Sequence, residues 1–480
     1  MLSSGHNHTV SLKENFLWNA TFQLLRIITP IITMPYLARV LGPDHMGLYG
    51  YTYAIANYFS LFAILGLNQY GNREIAKVKH DRILLSKVFF EIYIMQVVTG
   101  LLTSSIYILY SLLIAQDRTI ALIWFFWVGF EVLDINWLFF GLEEFRITVI
   151  RSTIIRIVLV IGIFTLVHSE SDLWLYTLLQ ALSYGVGYIV LWPFVPQRVD
   201  FILPSLQSIV KHIKPNLLLF APVMAISLYT QLDKVLLRHL TDAAQVGFYD
   251  NSEKICQVPL SLISALGTVM LPRISSLIVT GKRESIDSYL SKSVWASSMM
   301  SWAFCLGVFA VAPEFAPVYF GNGYESCSDL MRGLSFMIPI VALSNVFGVQ
   351  CLIPLGMDRQ YTYAVVTGAL VNLFGNLILI PRIGTMGAVY STLLAEGSVT
   401  IMQAWFIRKV YPIMQYICEG IPFSIIGFVM FLSIRFIVQF LSINAFGLFI
   451  EIIFGAIVYA VLVLAWLMIS KDNRLSTIIR

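Results

Sequence analysis

The chain has 480 residues, of which 58% are hydrophobic and only 12% charged, and its formal net charge is +4. A soluble domain carries about 25% charged residues, so with a mean hydropathy of +0.79 the chain is read as an all-α polytopic membrane protein. The Lys and Arg residues sit in short loops between apolar stretches, which fits membrane topology and not nucleic-acid binding. Cys256, Cys305, Cys327, Cys351 and Cys418 have no paired spacing, so neither a disulfide framework nor a thiolate metal site organises the fold.

Apolar runs between charged or turn-rich breaks predict about fourteen transmembrane helices: 16–41, 46–67, 86–114, 119–141, 149–167, 172–194, 215–240, 246–277, 293–320, 330–355, 361–381, 386–408, 420–440 and 446–470. The first span is not uniformly apolar. Asn19, Gln23 and Arg26 recur at steps of three and four and form one polar stripe on a helix. A charge in mid-membrane costs about 2.5 to 3.5 kcal/mol even on the lenient insertion scale, so such residues face a bundle interior or a wet cavity. Pro30 and Pro35 in the same span are candidates for a gating bend, since proline removes a backbone hydrogen bond, or for a static kink of the kind membrane helices tolerate.

The fourth span carries Glu131 and Asp134, and the twelfth carries Glu396. In the seventh span Gln231, Lys234 and Arg238 line up with Ser227 and Thr230 along one face, and in the eighth Asp250, Glu253 or Lys254, and Gln257 do the same. Arg238 lies near a helix end, where snorkelling to the interface is the alternative. Asp250, Glu253 and Lys254 could instead be a capped helix start with an i,i+4 ion pair.

Basic residues accumulate in alternate loops, which places both termini of a multi-pass protein in the cytoplasm. Leu37-Ala-Arg-Val-Leu41 followed by Gly47-Leu-Tyr49 is echoed by Leu236-Leu-Arg-His-Leu240 followed by Gly247-Phe-Tyr249. Further echoes in the same order predict two homologous six-helix lobes, a plan common in transporters, with the substrate site at the repeat interface. The predicted organisation is an N-terminal lobe at 1–194, a cytoplasmic linker at 195–214, a C-terminal lobe at 215–410 and two appended helices at 411–480. No loop is large enough for a soluble catalytic domain.

The chemistry such a lumen offers is anion recognition, because Arg and Lys hold phosphate oxygens more strongly in a low-dielectric cavity than in water. The acids Glu131, Asp134, Asp250, Glu253 and Glu396 could be counter-ions, or could bind H+ or Na+ and couple a gradient to transport. No metal site and no organic cofactor is expected.

The opening Asn15-x-x-Trp-Asn19, the turn Leu37-Ala-Arg-Val-Leu-Gly-Pro-x-x-x-Gly-Leu-Tyr-Gly50 and the loop Asn72-Arg-Glu-Ile-Ala76 resemble those of the Wzx-type polysaccharide flippases, within the multidrug, oligosaccharidyl-lipid and polysaccharide exporter superfamily. The resemblance covers essentially the whole chain, including Leu355-Gly-Met-Asp-Arg359 and Gly384-x-x-Gly387-Ala388. It implies alternating access of an undecaprenyl-pyrophosphate-linked oligosaccharide through a cationic cavity, in a bilayer shared with a polysaccharide polymerase and a chain-length regulator. It also implies that Arg26, Lys234 and Arg238 meet the pyrophosphate. Two other functions compete. A multidrug exporter of the same superfamily would want an acid-dominated cavity for a cationic cargo, and a polysaccharide polymerase would want a large outer loop.

Overall fold

A computed structural model describes the backbone of residues 12–279 and 283–470, and the side chains from Ile28 onward except at residue 229 and at scattered positions between 266 and 285. Every regular element among these residues is helical, as lipid demands of a chain whose backbone must satisfy its own hydrogen bonds. Among the described residues ten segments are long and apolar enough to cross a membrane. Ile28–Val78 counts once although it holds two of the expected fourteen spans, and the span at 386–408, which carries Glu396, falls short. The expected span at 119–141 is not one helix, since α geometry stops at Val128 and resumes at Asn136, and the span at 246–277 includes side chains outside the described residues.

The chain divides into two compact units, Met1–Leu41 with Thr52–Met224 and Gly42–Tyr51 with Ala225–Arg480. The residues expected as a linker, 195–214, therefore belong to the first unit. α1 (Leu12–Ile64) belongs to that unit except for Gly42–Tyr51 and leaves helical geometry at Gly42, where φ is 73° and ψ 171°, a conformation that a side chain would oppose. Then come α2 (Leu67–Val78), α3 (Arg82–Leu113), α4 (Arg118–Val128), α5 (Asn136–Gly141), α6 (Phe145–Leu166), α7 (Leu173–Ile189) and the short α8 (Leu206–Val210). Asp81 caps α3 by accepting from the Ile83 and Leu84 amides at 3.0 Å, which satisfies two otherwise orphaned donors. Arg82 bonds Asp200 at 2.7 Å and holds that carboxyl below the usual carboxylate range.

Trp137 is fully buried in a hydrophobic core of this unit. It fits because it lies against Gly71, where a Cβ would run into the indole. Small residues of this kind allow close approach in lipid, where apolar transfer contributes little to association.

The second unit contains the later part of α9 (Ile213–Leu240), then α10 (Ala243–Val279), α11 (Arg283–Phe320), α12 (Ser326–Ser335), α13 (Met337–Ser344), α14 (Asp358–Ile383), α15 (Thr385–Ile407), α16 (Ile413–Ile437) and α17 (Ala445–Ser470). After α13 the chain follows a π-helix over Asn345–Leu352, a widened geometry often found at functional positions. The α14–α15 hairpin turns at Gly384, whose φ is 60°. Both helices beyond 411 pack on α11. Arg435 of α16 donates to the two Glu314 carboxylate oxygens at 3.0 and 2.8 Å, and Tyr459 of α17 donates to the Met299 carbonyl at 2.6 Å.

Candidate functional site

The polar residues of α9 and α10 meet inside the second unit. Lys234 is 5% exposed, and its Nζ lies 2.7 Å from Asp250 Oδ1 and 3.3 Å from Glu253 Oε2. A buried ammonium is tolerable only with such partners. Lys254 lies one turn on from Asp250 and bonds its other oxygen at 2.5 Å, with 36% of its side chain exposed. The Lys254 ammonium also stands 5.9 Å above the Tyr49 ring, within cation–π range. Two acids therefore compensate two lysines. Lys234 faces inward on both of them, and Lys254 is the cation of the cluster that solvent or an anion can reach. Gln231 and Arg238 are partly buried on α9, with Gln231 Oε1 and Arg238 Nε lacking hydrogen-bond partners.

One residue away from Lys234, on the adjoining face of α9, Asp233 forms a second cluster. Its carboxylate, 2% exposed, accepts from Tyr249 at 2.6 Å, from Thr392 at 2.8 Å and from the Asn376 amide, which also donates to Asn372 at 3.0 Å. Asn376 Oδ1 is buried and has no partner. Carboxylate and hydroxyl oxygens converging from α9, α10 and α15 are the ligand type of a hard cation, while the Asn376 amide of α14 meets the carboxylate through its nitrogen. Glu396 follows Thr392 by one turn on α15 and is partly buried. Among the described residues no group of three or more His, Cys, Asp and Glu could hold a metal ion.

Glu131 and Asp134 are in the first unit, where the expected fourth span is broken. Between α4 and α5 the chain runs as a 3-10 turn over Gly129–Leu133 and then extends at Asp134. The carbonyls freed by the break have side-chain donors. Gln96 Nε2 bonds Glu131 O and Asp134 O at 2.8 Å each, while Trp192 Nε1 bonds Leu133 O at 3.0 Å. Gln96 is itself fixed by Trp137 Nε1 at 3.0 Å. Glu131 Oε1 accepts from Ser60 Oγ, from Trp127 Nε1 at 2.8 Å and from the Tyr188 hydroxyl at 3.0 Å. Asp134 Oδ1 accepts from the Asn136 amide at 2.9 Å.

A further buried carboxylate, Glu91 on α3, lies 2.8 Å from Lys211 Nζ and 3.0 Å from His212 Nε2. The other His212 nitrogen is 2.5 Å from the Tyr70 hydroxyl. These bonds hold the expected linker to the first unit.

The side chains of Asn19, Gln23 and Arg26 lie outside the described residues. Pro30 is exposed and Pro35 partly buried, and α1 remains helical through both; its interruption is at Gly42. The structure brings Lys234, Lys254, Asp250 and Glu253 together, where the sequence offered only an i,i+4 pair of Asp250 with Lys254. It also places beside them Asp233, which the sequence reading did not single out, whereas Glu131 and Asp134 belong to the first unit. Asp233 escaped because it falls between the stripe positions 230, 231 and 234; the signal available was the Asn372/Asn376 spacing of four on another span.

The chain is similar over 410 residues, at 24% identity, to the "Putative O-antigen transporter" of Escherichia coli (strain K12), covering 84% of this chain and 98% of that protein. Its fold is similar to a solved structure of "Lipid II flippase MurJ, inward closed conformation", with a TM-score of 0.76 at 13% identity, covering 95% of this chain and 99% of that one. An inward-facing multidrug resistance MATE family transporter of the MOP superfamily matches with a TM-score of 0.64 at 13% identity, covering 84% of this chain and 98% of that one. At these identities the structural likeness is one of fold. The profile of the polysaccharide biosynthesis proteins matches residues 12–278, more than half of the length, and in keeping with its resemblance to Wzx-type flippases the chain belongs to that family.

Proposed function

We propose that this chain flips undecaprenyl-pyrophosphate-linked oligosaccharide units from the cytoplasmic to the outer leaflet by alternating access, supplying a polymerase that builds O-antigen, capsule or exopolysaccharide. The observation that carries this reading is the alignment along 98% of a protein named as an O-antigen transporter, on a fold shared with a lipid II flippase. The chain performs no covalent chemistry in this reading. The pyrophosphate competes with Asp250 for the Lys254 ammonium, the exposed cation of its cluster, and Arg26 is the expected second contact. Lys234 keeps Asp250 and Glu253 compensated while Lys254 is drawn away. The oxygen cluster around Asp233 seats the coupling ion, H+ or Na+.

One observation favours a second reading. In this part of the second unit Asp233, Asp250, Glu253 and Glu396 outnumber Lys234 and Lys254, which suits the cationic cargo of a multidrug exporter. Lipid-linked sugars of a deletion strain, with and without the plasmid-borne chain, separate the two. Complete units accumulating on the cytoplasmic leaflet and relieved by the chain support the flippase. Unchanged lipid-linked sugars contradict it and favour the exporter, and unpolymerised units on the outer leaflet indicate a polymerase.

A further inference from the structure

The anion and cation seats of the second unit leave unused the buried carboxyls of the first, among them Glu131, which is 3% exposed. The break it occupies does not require an acid. Gln96 and Trp192 already satisfy the freed backbone carbonyls, and the side chain at 131 makes none of those bonds. The irregular stretch of the tenth expected span, 345–352, has amides instead, with Gln350 Nε2 donating to Asn345 Oδ1 at 3.2 Å. A departure from α geometry inside the membrane is therefore compatible with neutral side chains.

The two Glu131 oxygens are in opposite situations. Oε1 receives donors from three helices, Ser60 on α1, Trp127 on α4 and Tyr188 on α7. Oε2 is buried with no hydrogen-bond partner. The charged and titratable groups facing this site are Asp134 on the same break, Tyr188, and Arg151 on α6. Arg151 is committed to the Gly187 carbonyl at 2.8 Å and Ser152 Oγ at 2.9 Å, and Glu131 makes no ion pair among the described residues. Trp127 is fixed between the Tyr184 ring at 4.5 Å and the Tyr53 ring at 5.3 Å.

We propose that Glu131 is a proton-binding site of the first unit, which takes up and releases a proton on Oε2 during the transport cycle. What the proton drives rests on the flippase reading; the site itself does not. In the anion the three donors hold the charge on Oε1, as hydrogen bonds to a carboxylate favour its ionised form. In the acid the proton resides on Oε2, and the grip of Oε1 on its three donors weakens together. Protonation is thereby read out in the packing of α1, α4 and α7. The O–H bond is the only bond made or broken.

Infrared difference spectra of the purified full-length protein, recorded between acidic and alkaline buffer, test the site without any transport assay. The expected result is a carboxyl band that titrates in the wild type and is lost in Glu131→Gln, while it persists in Glu396→Gln. Ser60→Ala combined with Tyr188→Phe removes two donors to the anion and is expected to move the midpoint of that band to higher pH. If Glu131→Gln does not fold, the midpoint shift in the double variant decides alone. Identical titrating bands in wild type and Glu131→Gln, or an unmoved midpoint in the double variant, overturn the proposal. A titrating Glu131 in a chain that flips no lipid-linked sugar would sink the flippase reading and leave the proton site standing.

Discussion

Gly47 and Gly247 face each other where the segment after Gly42 crosses the start of α10, so closely that neither can carry a side chain. A Cβ at Gly47 would overlap the Ala243 carbonyl and press on the Gly247 amide, and one at Gly247 would overlap the Pro43 carbonyl and press on the Gly47 amide. These are the two glycines that the internal repeat pairs in sequence, so the duplicated motif packs against its own copy. Gly47→Ala and Gly247→Ala are each expected to destabilise by about 1–3 kcal/mol, the usual range for overpacking. Gly397 on α15 has open space around it, and Gly397→Ala is expected to be neutral or to stabilise by up to about 1 kcal/mol. Thermal unfolding of the three variants in one detergent checks the contrast.

Lys234 and Lys254 are expected to fail differently. Lys234→Met strands Glu253 in the interior and leaves Asp250 to Lys254 alone, a loss of about 3–5 kcal/mol for a broken buried pair, and should reduce the amount of folded protein. Lys254→Gln leaves Lys234 on Asp250 and should preserve abundance while lowering polysaccharide display. Quantifying membrane-extracted protein alongside surface polymer separates the two; equal abundance loss in both variants would contradict the assignment of Lys254 to substrate.

Gln96→Leu removes the donor to two carbonyls of the α4–α5 break and the acceptor of Trp137 Nε1. Each buried group left unsatisfied costs about 1–3 kcal/mol, so the variant should unfold at a markedly lower temperature than the wild type. An unchanged unfolding temperature would mean that the break finds other partners.

Glu91→Gln is expected to release the segment before α9. Lys211, whose side chain is 55% exposed, can then turn to water, and trypsin should cut at Arg198 or Lys211 faster than in the wild type. Limited proteolysis read by mass spectrometry reports the sites; unaltered cleavage would show that His212 and Tyr70 hold the segment alone.

Much of this was legible in the sequence because lipid imposes strong constraints. Long apolar runs must be helices, and charged residues inside them must be internal, so Lys234, Asp250 and Glu253 could be identified from spacing. The pairing among them could not, since it depends on how α9 packs on α10 and not on either stripe. Asp233 and its partners Asn372, Asn376 and Thr392 lie on three separate spans, and no local pattern brings them together. The break at Glu131 was hidden as well: Trp124 to Phe140 reads as one apolar run, and what interrupts it is Gln96 on another helix. The division of the chain fell at Met224, beyond the proline-rich stretch that suggested a linker, because Lys211 and His212 are bound to Glu91.

The central claim is that lipid-linked oligosaccharide crosses the bilayer through this protein. Proteoliposomes containing the purified chain and an undecaprenyl-pyrophosphate-linked oligosaccharide, probed with a membrane-impermeant sugar oxidant, measure this directly. Flipping predicts that the protected inner-leaflet pool becomes reactive in wild-type vesicles and stays protected in vesicles containing Lys254→Gln. An inner pool that remains protected in wild-type vesicles, with a cationic drug exported from the same vesicles, would contradict it.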